Sequence, residues 1–453
     1  MSHVIAAVST GSVLSAIGIL RLSGDGCAEI AGKVFSARSG KPLSDAPERK
    51  LILGSLLDRQ GRVIDHCMAV RSRAPHTYTG EDTVEFHCHG SPAVLQAGLE
   101  ALYAAGARPA RRGEFTKRAF LNGKMDLTEA EAVIDLIEAE TADAAANAAG
   151  QVGGTLKKKL APIYGDLVNL CSHFHAVLDY PDEDIEDFGL ENYEISLKNH
   201  AHALENLLKT YQNGRILRQG VASAIVGKPN VGKSSLLNAL AGFERVIVTE
   251  IPGTTRDTVE EAVLVGSTRL RLVDTAGIRD TADQVEALGV RRSREALEKA
   301  DLAIFVCDGS RALTEEDREV MALCVQVPKA IALVNKADLG CVVAPEALPF
   351  SWVIPVSAKT GAGLDRFAQV VNELFAGDAP CDGSILTNAR QFDALNRAKE
   401  ALNRALSALS QGQTPDAVLL DVEDAMGAIG EVTGGTVRED ITARVFERFC
   451  VGK

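Results

Sequence analysis

Basic charge is in short supply: 48 lysines and arginines stand against 61 aspartates and glutamates, a formal net charge of −13. That balance excludes a globally basic nucleic-acid binder, whose affinity comes from neutralising phosphates over a wide surface. Any RNA contact is therefore local. The basic clusters are Arg108, Arg111, Arg112, Lys117 and Arg118, then Lys157 to Lys159, then Arg291, Arg292 and Arg294, and solvated helix faces explain such runs more often than a binding surface does. Any Cys-x-x-Cys pair is also missing. The nine cysteines are scattered and odd in number, which fits reduced thiols in a cytoplasmic protein better than a disulfide framework. No uninterrupted apolar run approaches the roughly 18 residues of a spanning helix, which argues against an integral membrane protein. The apolar stretch from Val4 to Leu20 has no basic leader and is broken by Ser9, Thr10, Gly11, Ser12 and Ser15, so it reads as strand and loop.

At 453 residues, 46% apolar and 24% charged, the chain has a globular composition and the length for roughly two to four domains. Its first part carries short β-branched runs at Gly18 to Leu22, Leu51 to Leu57 and Thr83 to His87, the pattern of an α+β domain. From Leu127 the pattern turns helical, with a capping box expected from Thr128 and Glu131 and further helices over about Leu156 to Leu178 and Leu190 to Tyr211. Alternating strands and helices from Val221 to about Phe375 predict a parallel, doubly wound sheet, and helix returns after Pro380. The expected organisation is an N-terminal α+β domain over 1–118, an all-α domain in two parts over 119–217 and 377–453, and an inserted α/β P-loop domain over 218–376.

Ala224, Ile225 and Val226 form a buried-strand pattern that leads into Gly227, Lys228, Pro229, Asn230, Val231, Gly232, Lys233, Ser234, with Ser235 adjoining. The glycines let backbone N–H groups close around phosphates at a helix N-terminus, Lys233 brings charge to the β and γ groups, and the Ser234 hydroxyl is offered to Mg²⁺. Leu270 to Val273 lead into Asp274, Thr275, Ala276, Gly277, where a carboxylate faces the metal and the Gly277 N–H meets the γ-phosphate. Thr255, within Gly253 to Asp257, is the expected second hydroxyl on Mg²⁺. Asn335, Lys336, Ala337, Asp338 follow the strand Ala330 to Val334. The Asp338 carboxylate can accept from N1–H and the 2-amino group of guanine, and adenine leaves it unpaired. Ser357, Ala358 and Lys359 supply a supporting backbone donor to the guanine oxygen. In this order the motifs read as a GTP hydrolase.

The catalytic group is less conventional. Ile278 occupies the place where many switch GTPases carry the glutamine that orients water. Glu286 on the same segment is the candidate, acting on water directly or through a second water, against the plainer reading of a solvated glutamate at a helix start. No arginine finger stands out, whereas Asn230 lies beside an oxygen-rich loop, Thr249 to Thr254, that could hold K⁺ as the positive charge on the transferring phosphoryl group.

The flanks carry a resemblance. Arg448 to Lys453 (RFCVGK), Gly18 to Gly24 (GILRLSG), Tyr78 to Asp82 (YTGED), Gly113 to Phe120 (GEFTKRAF), Asn122 to Leu127 (NGKMDL) and Gly253 to Asp257 (GTTRD) are similar, over essentially the whole chain, to the MnmE or TrmE family of tRNA modification GTPases. The resemblance implies a homodimer joined through folate-binding N-terminal domains, with nucleotide domains pairing in the K⁺ and GTP state. It also implies a FAD-dependent partner of the MnmG (GidA) family in a heterotetramer or larger complex. Together they place an aminomethyl-type group on carbon 5 of the tRNA wobble uridine, using 5,10-methylene- or 5-formyl-tetrahydrofolate. By match to the family motifs, Arg21, Glu85, Lys124 and Lys453 are expected at folate, Asn230, Thr249, Ile251 and Thr254 around K⁺, Ser234 and Thr255 on Mg²⁺, and Glu286 in catalysis.

Some features stay open. Cys450 is either a nucleophile or an inert thiol, since no basic partner can be assigned to it. Glu85, His87 and His89 would share one face of a strand and could bind a transition metal, although a folate pocket accounts for Glu85. Thr10 to Ala16 departs from the glycine-rich, often arginine-containing loop usual in the family, which bears on the folate pocket and the adjoining dimer surface. The competing readings are a ribosome-assembly GTPase, for which no RNA-binding domain is found, and a folate-dependent transferase with a regulatory GTPase domain.

Overall fold

The computed structural model describes residues 3–11, 13–179, 190–243, 262–273, 294–375, 380–435, 445–446 and 449–452. The chain divides into two units, one made of Met1–Ile137, Ala149–Leu204 and Ala394–Lys453, the other of Glu138–Ala148 and Glu205–Asp393. In the first unit, apolar and β-branched runs broken by Gly, Pro and Asp give strands β1 (Ile5–Val8), β2 (Ser15–Ser23), β3 (Phe35–Ala37), β4 (Ile52–Leu57), β5 (Val63–Ser72), β6 (Thr83–Gly90) and β7 (Arg108–Pro109). They form one sheet in the order β3-β4-β5-β6-β2-β1-β7, antiparallel except where β1 meets β7. Helices α1 (Cys27–Val34) and α2 (Pro92–Ala105) cover one face, where Leu20, Leu56 and Phe86 are buried with Ala31, Leu95 and Leu102. Alternation along β6 sends Val84, Phe86 and Cys88 into that core and puts Glu85, His87 and His89 on the other face.

Helices then follow: α3 (Glu114–Leu121), α4 (Leu127–Ile137), α5 (Ala142–Val152), α6 (Thr155–Asp179), α7 (Leu190–Lys209) and α8 (Tyr211–Gln219). The start of α4 differs from the sequence expectation. Asp126, not Thr128, is the cap: its Oδ1 accepts from the Glu129 N–H at 2.8 Å, and Glu129 Oε2 accepts from the Asp126 N–H at 2.6 Å. Thr128 and Glu131 are buried instead, and the Thr128 hydroxyl donates to Asp126. The sequence offers both Asp-x-x-Glu and Thr-x-x-Glu boxes. The earlier start prevails because it makes Leu127 helical and stacks the buried Leu127, Ala130 and Ile134 along one face.

The second unit holds a six-stranded sheet: β8 (Val221–Val226), β9 (Ala262–Val265), β10 (Thr268–Leu272), β11 (Leu302–Asp308), β12 (Ala330–Asn335) and β13 (Trp352–Pro355), in the order β13-β12-β11-β8-β10-β9. All pairs are parallel except the β9–β10 hairpin. Every residue of β8 is buried, as a parallel strand covered on both faces requires. Helices α9 (Lys233–Phe243) and α11 (Leu364–Phe375) contribute Leu236, Leu240 and Phe367 to one core layer. Helix α10 (Glu315–Cys324) contributes Val320 and Cys324 to the other, and a capping box between Thr314 and Asp317 opens it.

Helices α12 (Ala389–Ser410) and α13 (Pro415–Thr433) return the chain to helix. Within the first unit, α6 buries Leu156, Leu160, Ile163, Leu167, Leu170 and Phe174, and α13 buries Val418, Val422, Ala425, Ile429 and Val432. Both sets step by four and three, the repeat of a knobs-into-holes seam, and Cys171 Sγ meets Met426 Sδ there at 3.3 Å. Further on, Phe446 and Phe449 are buried against Phe120 and Ala130, the Gly113 N–H donates to the Cys450 carbonyl at 3.3 Å, and Ser9 Oγ donates to the Gly452 carbonyl at 3.0 Å. No helix among the described residues is long and apolar enough to cross a membrane.

Candidate nucleotide site

Strand order reverses at β8, which has β11 on one side and β10 on the other. A crevice beyond the carboxyl ends of the strands at such a point is where open α/β sheets bind ligands. The loop from Gly227 to Gly232 leaves β8 there and enters α9 at Lys233. Gly227 (φ +154) and Gly232 (φ +99) have positive φ, and each is also demanded by a neighbour: a Cβ on Gly227 would strike the Val306 carbonyl, and one on Gly232 would strike Asn335 Nδ2. Asn230 (φ +62) takes the left-handed conformation that asparagine tolerates. Lys233 Nζ donates to the Gly227 and Lys228 carbonyls at 2.6 and 2.8 Å, and burial pushes its pKa below the usual lysine range. Ser234 and Ser235 are exposed on the first turn of α9, where N–H groups without intrahelical acceptors favour an anion.

The loop after β12 is tied to this one twice. Asn335 is buried; its Nδ2 donates to the Val231 carbonyl at 2.8 Å and its Oδ1 accepts from the Ala358 N–H at 3.0 Å. Lys336 (φ +64) donates from Nζ to the Asn230 carbonyl at 3.0 Å and to Asp308 Oδ2 at 2.7 Å. Asp308, at the end of β11, carries no motif signature and was absent from the expected site. Burial raises its pKa, but hydrogen bonds from Lys336 and Ser310 outweigh that and hold it at about 2. Its signal in the sequence is an acidic residue closing a parallel strand on the ligand side of the sheet.

Asp338 is exposed, with Oδ1 accepting from Ser357 Oγ at 2.7 Å. The penalty that separates guanine from adenine therefore has to come from the base covering the carboxylate. Ser234 supplies the hard oxygen that suits Mg²⁺. Thr249, Ile251, Thr254, Thr255, Asp274, Gly277, Ile278 and Glu286 lie outside the described residues, as does Lys453.

A second constellation lies on the N-terminal sheet. Arg21 and Glu85 are register partners on β2 and β6, with Nε and Oε1 2.7 Å apart, and the Arg21 guanidinium stands 5.7 and 5.8 Å from the Tyr78 and Phe115 ring centres. The Lys124 stem lies against Gly80, with Cγ 3.2 Å from where a Cβ would be. Gly452 sits beside Val8 and Ser9, while the neighbouring Ala7 pairs with Arg21. His89 turns to Asp65 at 2.8 Å and not to His87; no metal-binding cluster occurs among the described residues. Cys450 is exposed. Two cations of the basic run are structural: Arg118 is buried against Glu81, Glu114 and the His3 carbonyl, and Arg108 pairs with Glu114.

A phosphate loop at the switch point of a mostly parallel sheet, laced to a loop of the Asn-Lys-x-Asp type, defines a P-loop GTPase, here in a chain with an added antiparallel-sheet domain and a helical domain. Two family models match it: "GTP-binding protein TrmE N-terminus" over residues 4–124 and "MnmE helical domain" over residues 127–450. A tRNA modification GTPase MnmE of Heliobacterium modesticaldum is 44% identical over 462 residues, covering 99% of each chain. One of Alkaliphilus metalliredigens is 41% identical over 460 residues, covering 100% of each. The solved G domain of the Thermotoga maritima FeoB iron transporter is 25% identical, covering 34% of this chain and 98% of that one, with a TM-score of 0.26, too low to compare the folds. The chain belongs to the MnmE family of tRNA modification GTPases. It is a GTP hydrolase of tRNA modification, which sets aside the ribosome-assembly reading.

Proposed function

We propose that this GTPase is K⁺-dependent and works as a cytoplasmic homodimer with a FAD-dependent partner of the MnmG family, driving aminomethyl-type modification of carbon 5 of the tRNA wobble uridine from a tetrahydrofolate one-carbon donor. The observation that carries the finer part is the Arg21–Glu85 pair, flanked by Tyr78 and Phe115. A carboxylate that can accept from pterin N–H groups, a guanidinium and two aromatic rings suit a flat heterocycle with an anionic tail. Lys124 and Lys453 would supply further cations to that tail.

In the nucleotide domain, the N–H groups around Gly232 and Ser235 and the Lys233 ammonium hold the phosphates, and Ser234, Thr255 and Asp274 serve Mg²⁺. Mg²⁺ held by these residues would supply positive charge to the phosphates. Gly277 donates to the γ-phosphate. Asn230, Thr249, Ile251 and Thr254 present oxygens to K⁺, and Glu286 orients water. Asn335, Lys336, Asp338, Ser357 and Ala358 bind guanine. The test is mass spectrometry of tRNA nucleosides from a deletion strain complemented with the wild-type chain, Glu85→Ala or Glu286→Ala. Loss of the wobble modification with either variant, with normal ribosome profiles, is expected. Full modification with Glu85→Ala would remove the folate assignment.

A further inference from the structure

The Lys336 ammonium joins two loops of the nucleotide site, and it is held in turn by a residue outside every nucleotide motif. Asp308 ends β11 in register with Asn335 of β12, so strand pairing brings its carboxylate next to Lys336. Asp308 Oδ2 accepts from Lys336 Nζ at 2.7 Å, while Oδ1 accepts from the Ser310 N–H at 3.0 Å and the Ser310 hydroxyl at 2.6 Å. The carboxylate is 10% exposed, and its other cation, Arg311, is 3.6 Å away and 80% exposed. Lys336 thus carries the shielded part of the pairing. An ammonium on a flexible four-carbon stem keeps one geometry only when something anchors it. Here the anchor leaves a donor for the Asn230 carbonyl at 3.0 Å, in the phosphate loop.

We propose that Asp308 is a positioning residue for the nucleotide: by fixing Lys336 on Asn230 it locks the base loop to the phosphate loop, and so sets guanine-nucleotide affinity more than the rate of hydrolysis. This rests on the reading of Asn335 to Asp338 as the guanine loop. A purely local role, capping the Ser310 turn, would act on stability alone. The lock acts on binding, and it acts through Lys336.

The full chain carrying Asp308→Ala, Asp308→Asn, Lys336→Ala or the Asp308→Ala/Lys336→Ala pair is titrated with fluorescent GDP and XDP analogues, and kcat and KM are measured with GTP. Asp308→Ala is expected to weaken GDP binding about tenfold, or about 1.4 kcal/mol, and to raise KM in step while kcat falls less. Asp308→Asn keeps an acceptor for the Ser310 turn and guards against misfolding of the alanine variant. Its loss is smaller, because a neutral amide accepts from an ammonium less strongly than a carboxylate does. The double variant binds no more weakly than Lys336→Ala alone. GDP affinity within about twofold of wild type in both Asp308 variants, or additive losses in the pair, overturns the proposal. Asp338→Asn separates the two readings. If it leaves the guanosine preference over xanthosine intact, the guanine-loop reading itself fails; if it shifts the preference while the Asp308 variants bind normally, only the proposal fails.

Discussion

Asn335 is bonded to Val231 across the nucleotide site, Nδ2 to carbonyl oxygen at 2.8 Å, and the same amide accepts from Ala358 at 3.0 Å. One buried side chain therefore holds three loops at fixed spacing. Asn335→Ala strips partners from both backbone groups, at about 1–3 kcal/mol for each left buried and unpaired. The expected outcome is a lower unfolding midpoint in denaturant together with at least a tenfold loss of GDP affinity by titration, about 1.4 kcal/mol. A variant that is destabilised but binds GDP normally would show that the link serves folding only.

The proposed K⁺ dependence is tested by turnover in KCl against NaCl at equal ionic strength. Asn230 adopts φ +62, and its carbonyl is already engaged by Lys336, so its side chain is the part left to meet a cation. Faster turnover in KCl is expected, and Asn230→Ala should abolish the difference. Equal rates in the two salts for the wild-type chain would dispose of the K⁺ assignment.

Glu286 is expected to act on water and not on nucleotide binding. Glu286→Ala should lower kcat by roughly 10²–10³ while GTP affinity stays within about threefold, the split expected of a general base or water-orienting group. Single-turnover kinetics beside equilibrium titration check it. Unimpaired turnover would remove the catalytic assignment of the glutamate.

What the sequence made legible follows from range. The phosphate loop, the loop after β12 and the buried parallel strands are written in contiguous residues, and the structure carries them where the motifs and apolar runs indicated. Asp308 was not legible because its partner is set by strand register and by the φ of Lys336. Arg118 reads as one of a surface cluster, yet it is buried between Glu114 of its own helix and Glu81 of a distant loop. The α4 cap was misread for a local reason: two capping boxes overlap, and only packing of Leu127 chooses between them.

Glu114 gives a pH prediction for the N-terminal domain. Burial raises its pKa, but hydrogen bonds from Arg108, the Arg111 N–H and Arg118 outweigh that and hold it at about 2, against an ordinary 4.5. A depressed folded-state pKa stabilises the fold above the unfolded value and loses that contribution as pH falls through the folded value. The stability difference between wild type and Glu114→Gln should be constant above pH 4.5 and shrink toward pH 2. Its electrostatic part is on the order of 3 kcal/mol. Denaturant melts at a series of pH values measure it, and a difference independent of pH would show that Arg108 and Arg118 do not hold the carboxylate ionised.

The folate assignment separates from stability because the Arg21 and Glu85 side chains remain 19% and 26% exposed, and a partly exposed ion pair contributes little, about 1 kcal/mol or less. Glu85→Ala should therefore leave the melting temperature nearly unchanged while weakening 5-formyl-tetrahydrofolate binding by more than about tenfold in calorimetric titration. Gly452→Ala tests the same pocket from the other side. A Cβ there would strike the Val8 carbonyl, so the segment bonded to Ser9 must shift where it meets β1, the strand paired with Arg21. Folate affinity should fall as it does in Glu85→Ala, with GTP turnover by the isolated chain retained, because the nucleotide site lies in the other unit. Undiminished folate binding in both variants would mean that this face of the sheet serves something other than the one-carbon donor.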